Sequence, residues 1–414
     1  MASTLFRNGL LFDGVSDQAR AGVEVLVEDD RIKEVSESPI AAAELEASGA
    51  QVIDLGGRTL MPGLIDAHYH AIAADPDLSK LADMPRSLVY QHARKFLEAS
   101  LMRGFTSIRD AGGADYGLAM AVDSGLIKGP RLFYSGRALT QTGGHGDFRS
   151  LEQDVFCLCC AGGAGMERIA DGVGEVRKAA RDELRKGATQ IKIMASGGVA
   201  SPRDPIWNLQ YSEEEIRAIV WEAQSWRTYV MAHAYTPEAI RRCVAFGVRS
   251  IEHANLIDDE TASLCAGRGA YVVPTLATYS ALDTFGRELG FPEVSLEKLK
   301  VIRAAGLDSL RLMKAAGVKM GFGTDLLGEM HRHQLSEFAI RAEALPAHEV
   351  LQSATSVNAD LLNRGDELGR VAPGALADLI VVDGDPIADI SLLGGDGERV
   401  LLVMKGGAIF KQAL

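Results

Sequence analysis

Apolar runs alternate with amphipathic stretches through the middle of this chain. Eight of these runs predict strands: "LMPGLIDAHYH", "GFTSIRDAG", "RLFYSGRALT", "ATQIKIMAS", "TYVMAHAY", "SIEHAN", "AYVVPTLAT" and "VKMGFGTD". The stretches between them carry helix signals, since Ser212 and Glu215 form a capping box and Thr236 precedes a proline at a first helical position. Continuous apolar strands that alternate with helices predict a parallel sheet covered by helices. Eight such units over about 300 residues predict an α/β fold of the (β/α)8 TIM-like barrel type.

Both ends of the chain show short strands and tight turns instead. The first part contains "TLFRNGLLFDG" and "GVEVLVEDDRIKEVSES", and the last part contains "GALADLIVVDGDP" and "RVLLVMKGGAIF". Runs bounded by Gly, Asp and Asn predict paired β structure. We therefore expect residues 1–58 and 366–414 to form one small β-sandwich domain, and residues 59–365 to form the barrel domain.

The composition favours small-molecule chemistry. The chain has 414 residues, a hydrophobic fraction of 47% and a formal net charge of -13. It has no dense basic face, which argues against a nucleic-acid partner or an anionic membrane. No apolar run reaches the roughly 18 residues of a membrane span, and neither Gly-x-Gly-x-x-Gly nor a Walker loop follows a strand. A small-molecule substrate is therefore expected.

We expect a cytoplasmic location. The opening "MASTLFRNGLLFDG" lacks the basic and long apolar regions of a signal peptide, although a removed leader would leave no trace. The five cysteines include the cluster Cys157, Cys159 and Cys160, which lacks the spacing of a zinc ribbon. Small buried cysteines need no special role, and their odd number indicates a reducing compartment.

The first predicted strand ends in two histidines, His68 and His70. Residues two apart in a strand point to the same face, which is the interior of a barrel. Two buried imidazoles must each find polar partners within a small radius, so two ordinary core histidines are the less attractive interpretation. This spacing favours a metal site at the mouth of the barrel.

Other strand ends supply matching ligands. His233, His253 and Asp325 end the fifth, sixth and eighth predicted strands. Each has an ordinary explanation, such as a helix cap for Asp325, but their common placement at C-terminal strand ends indicates one site. Lys192 lies inside the fourth strand, where an ammonium must be paired, neutralised or modified unless it extends to solvent.

This set of residues resembles the amidohydrolase superfamily over nearly the whole chain. The motifs "TQTGGHGD", "KIMASGGV", "MAHAYTPEAI", "EHAN" and "GTDLLGEMHRHQLSEF" resemble the prolidase-type, imidazolonepropionase-related branch. That branch includes Xaa-Pro dipeptidases, carboxypeptidase-like enzymes and ochratoxin-hydrolysing amidases. Its members often form homo-oligomers, so the resemblance also implies self-association.

The resemblance implies a binuclear centre with two divalent ions, most often zinc. Lys192 would be N6-carboxylated and bridge the ions, one held by His68, His70 and Asp325 and the other by His233 and His253. A bridging hydroxide would attack the scissile carbonyl, and Asp325 would move its proton to the leaving nitrogen. His145, in a Gly-rich loop, and Tyr235 would contact the substrate. Tyr235 also shares a strand face with His233, two residues earlier.

The implied reaction is hydrolysis of an amide or peptide bond that releases a C-terminal proline or a hydrophobic or aromatic amino acid. Xaa-Pro dipeptides, Xaa-hydrophobic dipeptides, N-acyl amino acids and ochratoxin-like amides all stay open as substrates. A mononuclear deaminase or cyclic-amidine hydrolase is one alternative, but typical deaminases carry a Glu where this chain has Thr236. An inactive scaffold is another, although such members normally lose ligands.

A second His-x-His pair, His331 and His333, follows the eighth strand. Residues two apart in a helix do not face each other, so we do not expect a metal pair there. Contact with the substrate at the barrel mouth is an open alternative for this pair.

Overall fold

The computed structural model describes residues 3–47, 49–149, 165–201 and 203–414. Its strands are β1 Ser3–Arg7, β2 Leu10–Leu11, β3 Arg20–Ala21, β4 Glu24–Glu28, β5 Arg31–Ser36, β6 Gln51–Asp54, β7 Thr59–Pro62, β8 Leu64–Tyr69, β9 Phe105–Asp110, β10 Arg131–Tyr134, β11 Ala138–Thr140, β12 Glu167–Ile169, β13 Ile191–Met194, β14 Val230–Ala234, β15 Ser250–His253, β16 Tyr271–Val273, β17 Lys319–Met320, β18 Leu379–Val382, β19 Val400–Lys405 and β20 Ala408–Gln412. Its α-helices are α1 Ala42–Ala47, α2 Arg86–Met102, α3 Tyr116–Asp123, α4 Gly172–Arg185, α5 Glu213–Ser225, α6 Pro237–Ala245, α7 Asp259–Arg268, α8 Leu276–Phe285, α9 Glu293–Ala315, α10 Ser336–Ala342, α11 Ala347–Gln352 and α12 Asn358–Leu361.

The middle of the chain is the predicted α/β barrel-type unit. All eight predicted runs contain strands, and these pair in parallel as the orders β10-β9-β8 and β12-β11-β13-β14-β15-β16-β17. The third run joins the two sheets, because its first half, β10, pairs with β9 and its second half, β11, pairs with β13. The first and eighth runs meet where Ala67 N–H donates to Phe322 C=O over 2.8 Å. The C-terminal ends of these strands therefore face one common mouth.

The eighth strand is shorter than its apolar pattern predicts. Only Lys319–Met320 is a regular strand, and the chain then continues irregularly to Asp325. Asp325 has a φ of 55°, in the left-handed region, and its N–H donates to His68 C=O over 2.8 Å. The irregular end thus turns Asp325 toward the histidines of β8.

Segments from both chain ends form the β-sandwich. One sheet has the order β5-β4-β1-β6 and the other has the order β20-β19-β18-β7-β2-β3. Apolar side chains from both sheets, such as Phe6, Val25, Val381 and Leu402, are buried together between them. Strand β7 begins at residue 59, where we expected the barrel domain to start, yet it pairs with β18 in the sandwich. The division into domains stays a prediction.

The two predicted helix starts are confirmed. Ser212 and Glu215 form a capping box ahead of α5, and Thr236 caps α6 with Pro237 at its first position. Among the described residues, none of the helices combines the length and apolar character needed to cross a lipid bilayer. Cys157, Cys159 and Cys160 lie outside the described residues, whereas Cys243 and Cys265 are buried free thiols.

Candidate active site

The predicted site residues line a single cavity at the C-terminal ends of the barrel strands. The cavity has a volume of about 590 Å³, part of which is open to solvent. Its lining includes all eight predicted residues, namely His68, His70, His145, Lys192, His233, Tyr235, His253 and Asp325. The fold thus brings together residues that lie up to 257 positions apart, the separation of His68 and Asp325 in the chain.

One side of the cavity, which we call the strand wall, consists of His68, His70, His253 and Asp325. Asp325 Oδ1 lies 3.1 Å from His70 Nε2 and 3.5 Å from His68 Nε2, and Asp325 Oδ2 lies 3.9 Å from His253 Nδ1. Ligand atoms of His68, His253 and Asp325 all lie within 4.8 Å of one another. A set of imidazole and carboxylate donors this close together suits a divalent metal ion.

Hydrogen bonds decide which ring nitrogens are free to bind a metal. His70 Nδ1 lies 3.2 Å from Gly112 C=O and His233 Nε2 lies 3.2 Å from Gly197 C=O. A carbonyl oxygen only accepts, so both of these nitrogens carry hydrogen. His233 Nδ1 therefore keeps a free lone pair, whereas His70 Nε2 faces Asp325. In both rings the other nitrogen is fixed by a neighbour, as is usual for metal-binding histidines.

The backbone is strained where two of these side chains project. His253 has a φ of 73° and Asp325 a φ of 55°. The left-handed region costs a non-glycine residue about 1–3 kcal/mol and is concentrated at functional sites. At His253 the turn also lets two adjacent side chains, Glu252 and His253, both face the barrel interior, as their contacts with His68 show.

The protonation states fit metal binding. Burial, together with the charge of Lys192, holds the pKa of His68 well below its usual value, and burial does the same for His233 and His253. Burial alone would raise the pKa of Asp325, but its contacts with His68 and His70, including the hydrogen bond from His70, outweigh burial and lower that pKa. Burial alone would lower the pKa of His70 as well, but its contact with Asp325 outweighs burial and raises that pKa. A neutral imidazole and an ionised carboxylate are the forms that bind metal ions, so His70 would release a proton when it binds one.

Lys192 lies at the bottom of the cavity and is fully buried. Burial lowers the pKa of its amine to about 8, although the charges of Glu252 and Asp325 oppose this change. A substantial fraction of the amine is thus neutral near pH 8. Only a neutral amine can react with carbon dioxide to give a carbamate.

Behind the strand wall lies a buried polar network that was not predicted from the sequence. His68 Nδ1–H donates to Glu252 Oε2 over 2.7 Å, and Arg109 Nη2 donates to both oxygens of Glu252 over 2.9 Å. Arg109 and Glu252 are both completely buried, and Arg109 Nε also donates to Ala67 C=O over 2.6 Å. The network fixes the His68 ring so that Nε2 faces the cavity.

Asp66 joins the first and eighth strands beneath the site. Its Oδ1 accepts the N–H groups of His68 and Thr324, and its Oδ2 accepts the hydroxyl of Thr324 over 2.6 Å. Gln334 Nε2 donates to the same Oδ2 over 2.9 Å. Asp66 thereby sets the spacing between His68 and Asp325.

His145 also lines the cavity, and it contacts Asp204 and lies beside Gly198; we call these three residues the loop wall. His145 Nδ1–H donates to Asp204 Oδ2 over 3.1 Å, and Gly198 N–H donates to the same oxygen over 3.0 Å. The His145 ring stacks on His233 with 4.3 Å between centroids. Burial alone would raise the pKa of Asp204, but His145 outweighs it and lowers that pKa.

Helix α9 supports the loop wall from outside. Lys298 Nζ donates to the backbone carbonyls of Gly198, Ser201 and Asp204, at 3.0, 2.8 and 2.5 Å. Neither Asp204 nor Lys298 was identified from the sequence. Both residues lie outside the predicted strands and outside any recognised motif, so the sequence provided no reason to select them.

Tyr235 adds a phenol to the cavity. Its hydroxyl lies 2.9 Å from that of Tyr279 on α8, and its ring centroid lies 5.2 Å from that of His253. Burial raises the pKa of Tyr235, so its hydroxyl keeps its proton as a donor. Tyr279, which also lines the cavity, was not identified from the sequence.

The rest of the cavity is mostly apolar, with one further carboxyl group. Apolar lining residues include Leu78, Phe148, Leu282 and Leu327. Glu167 on β12 also lines the cavity, and burial raises its pKa to about 8. Neither β12 nor Glu167 was predicted from the sequence.

The second His-x-His pair does not line this cavity. His331 and His333 belong to the 3-10 helix Gly328–His333. His331 is buried and stacks on Tyr69 with 4.4 Å between centroids, while His333 stacks on Phe285 at 5.0 Å. In the structure these histidines pack against aromatic rings.

Comparison with known proteins identifies the family. The model of the amidohydrolase family matches residues 59–409. Ochratoxinase from Aspergillus niger is 35% identical over 370 residues, which cover 85% of this chain and 75% of that protein.

Two crystal structures are closer in sequence. An amidohydrolase is 55% identical with a TM-score of 0.96, and covers 100% of both chains. A prolidase in complex with N-methylphosphonate-L-proline is 50% identical with a TM-score of 0.95, covering 99% of this chain and 100% of that one. The chain therefore belongs to the amidohydrolase family, in the branch that contains prolidases and ochratoxinase.

Proposed function

We propose that this protein is a metal-dependent peptidase or amidase that releases a C-terminal proline or a hydrophobic or aromatic amino acid. Its family membership makes it a hydrolase of amide or peptide bonds. The observation that carries the finer proposal is the composition of the cavity. Metal-type ligands occupy one end, and leucine and phenylalanine side chains supply an apolar wall for the released residue.

Six residues of the cavity would hold two divalent ions, most often zinc in this family: His68, His70, Lys192, His233, His253 and Asp325. Their free imidazole nitrogens, the Asp325 carboxylate and the unprotonated fraction of Lys192 are a suitable donor set. Lys192 would contribute as an N6-carboxylated side chain. When bound, such ions lower the pKa of a water molecule and polarise a scissile carbonyl.

Asp325 is the residue we propose for proton transfer. Its carboxylate lies at the centre of the strand wall, and its lowered pKa keeps it ionised and able to accept a proton from the attacking water. Returning that proton to the departing nitrogen completes hydrolysis. Both steps need the carboxylate to stay beside His68 and His70.

His145 and Tyr235 are the residues we propose for substrate contact. Asp204 fixes the proton of His145 on Nδ1, and the phenol of Tyr235 stays protonated. The phenol of Tyr235 and the imidazolium form of His145 can each donate a hydrogen bond to the developing oxyanion or to the carboxylate of the substrate. Both residues line the same cavity as Asp325, which supports this role.

The deaminase alternative is less well supported. Typical deaminases place a Glu at the position of Thr236, whereas Thr236 Oγ1 in this chain accepts the N–H of Ala239 at the start of α6. The residue serves as a helix cap and provides no carboxylate.

A substrate panel tests the proposal. Purified protein loaded with zinc should be assayed with Xaa-Pro dipeptides, Xaa-hydrophobic dipeptides, N-acyl amino acids and ochratoxin A, scored by kcat/KM. We expect hydrolysis of compounds that release proline or an apolar residue, and little hydrolysis of those that release Asp or Lys. Ammonia release from adenosine-type substrates without any peptide hydrolysis would contradict the proposal.

A further inference from the structure

Glu167 is a carboxyl group of the cavity that the proposed chemistry does not use. Among the described lining residues, the carboxyl groups are those of Asp325 and Glu167. Asp325 contacts His68 and His70, whereas Glu167 forms no ion pair within 4 Å with another described residue, although the charges of His70 and Arg137 act on it. An acidic group at a substrate cavity without such a partner is suited to a cationic group of the substrate.

The backbone places Glu167 on the cavity side between the two walls. A Cβ atom built on Gly146 would lie 2.6 Å from Glu167 Cγ, so the Glu167 side chain packs beside the loop that carries His145. The preceding carbonyl, of Met166, lies 3.6 Å from a Cβ built on Gly112, and His70 Cε1 lies 3.8 Å from the same point. Glu167 thus adjoins the loop that carries His145, and its carboxyl group lies close enough to His70 for that charge to act on it.

This position matches the chemistry of an unblocked dipeptide. In such a substrate a single carbon atom separates the N-terminal ammonium from the scissile carbonyl. If the carbonyl lies at the strand wall, the ammonium lies within a short distance of it, where a carboxylate beside His70 can pair with it. An N-acyl amino acid has no charge at that point and gains nothing from Glu167.

We propose that Glu167 binds the N-terminal ammonium of the substrate and makes the site selective for unblocked dipeptides over N-acyl amino acids. This inference rests on the proposed peptidase function. Desolvation raises the pKa of the half-buried Glu167 to about 8, and a cation that arrives with the ligand would favour its ionised form.

The test compares two substrates that differ only in the amino group. Leucyl-proline and N-(4-methylpentanoyl)-proline have the same carbon skeleton, and another apolar residue can replace proline if the wild type prefers it. We expect the wild type to cleave the dipeptide at least about tenfold better in kcat/KM, the effect of one charged hydrogen bond. Glu167→Gln should lose this advantage while cleaving the amino-free compound within about threefold of wild type.

Two further variants guard against indirect effects. Glu167→Asp keeps the charge on a shorter side chain and should retain part of the preference. Glu213→Gln removes an exposed carboxylate that pairs with Arg217 on α5, and should leave the preference unchanged. Thermal unfolding and metal content show whether each variant folds and loads normally.

Three results would overturn the inference. Glu167→Gln could lower kcat/KM for both compounds equally, which would indicate a structural role. The wild type could prefer the amino-free compound, which would make the site one for N-acyl amino acids. The wild type could cleave no amide or peptide at all, and this result alone would also remove the proposed function.

Discussion

The strand wall and the loop wall both place histidines in one cavity, but different parts of the molecule fix them. On the strand wall, the completely buried Glu252 and Arg109 fix His68 from inside the barrel. On the loop wall, Asp204 fixes His145, and Lys298 of α9 holds the loop. On the proposed function, we expect changes in the strand wall to alter metal binding and changes in the loop wall to alter substrate turnover.

The largest expected effect comes from Glu252→Gln on the strand wall. The substitution weakens the hydrogen bond that orients His68 and leaves the charge of Arg109 buried without its partner. We expect metal affinity to fall about 10–100-fold. We also expect the free energy of unfolding to fall by about 3–5 kcal/mol. Competition with a chelator and urea unfolding of the metal-free protein measure the two effects.

Glu337→Gln is the matched control, because Glu337 and Arg341 form another completely buried ion pair that does not line the cavity. It should destabilise the fold to a similar extent and leave metal affinity unchanged. Equal losses of metal affinity in both variants would show that Glu252 acts only through stability.

A smaller, different effect is expected from Asp204→Asn on the loop wall. The amide cannot hold the proton of His145 Nδ1 as a carboxylate does, so the ring loses its fixed orientation. We expect kcat to fall about 10–100-fold, within the usual contribution of a positioned donor. Metal content at full loading should not change, which distinguishes the variant from Glu252→Gln.

Gly198→Ala tests the same contact from the other side. A Cβ atom at this position would lie 2.1 Å from the His145 ring, so the ring must move. Gly174→Ala is the control, because a Cβ atom there meets open space. Full activity in both Asp204→Asn and Gly198→Ala would exclude His145 from turnover.

The smallest effect is expected from Lys298→Met. The variant keeps the length of the side chain but loses three hydrogen bonds to the loop carbonyls. We expect the loop to loosen, with KM rising about two- to fivefold and kcat nearly unchanged, since each hydrogen bond contributes only about 1 kcal/mol net. Lys300→Met, which removes an exposed pair with Glu297, serves as the control in the same steady-state assay.

The strands and most of their ligand positions could be predicted because they follow simple periodicity. The alternation of β8 places His68 and His70 on one face, and the fold puts both in the cavity. Glu252 was not predicted, because strict alternation puts adjacent residues of a strand on opposite faces. A ligand at His253 that faces the barrel interior therefore implies that Glu252 faces outward. The φ of 73° at His253 breaks that rule, and no propensity in the sequence indicates it.

The contacts of the loop wall could not be predicted from the sequence. Asp204 lies 59 residues after His145, and Lys298 lies 94 residues after Asp204, in segments that no periodicity connects. Their contacts depend on the packing of α9 against the loop after β13. Glu167 lies in a strand of only three residues, too short for its pattern to be recognised.

The central claim is that strand-end ligands and Lys192 hold two metal ions that support amide hydrolysis. Elemental analysis of fully loaded wild-type protein and of Lys192→Ala, together with their peptidase activity, tests it most directly. We predict two ions per wild-type chain, and fewer ions with loss of activity in Lys192→Ala. A single ion per wild-type chain, with activity that survives in Lys192→Ala, would contradict the claim.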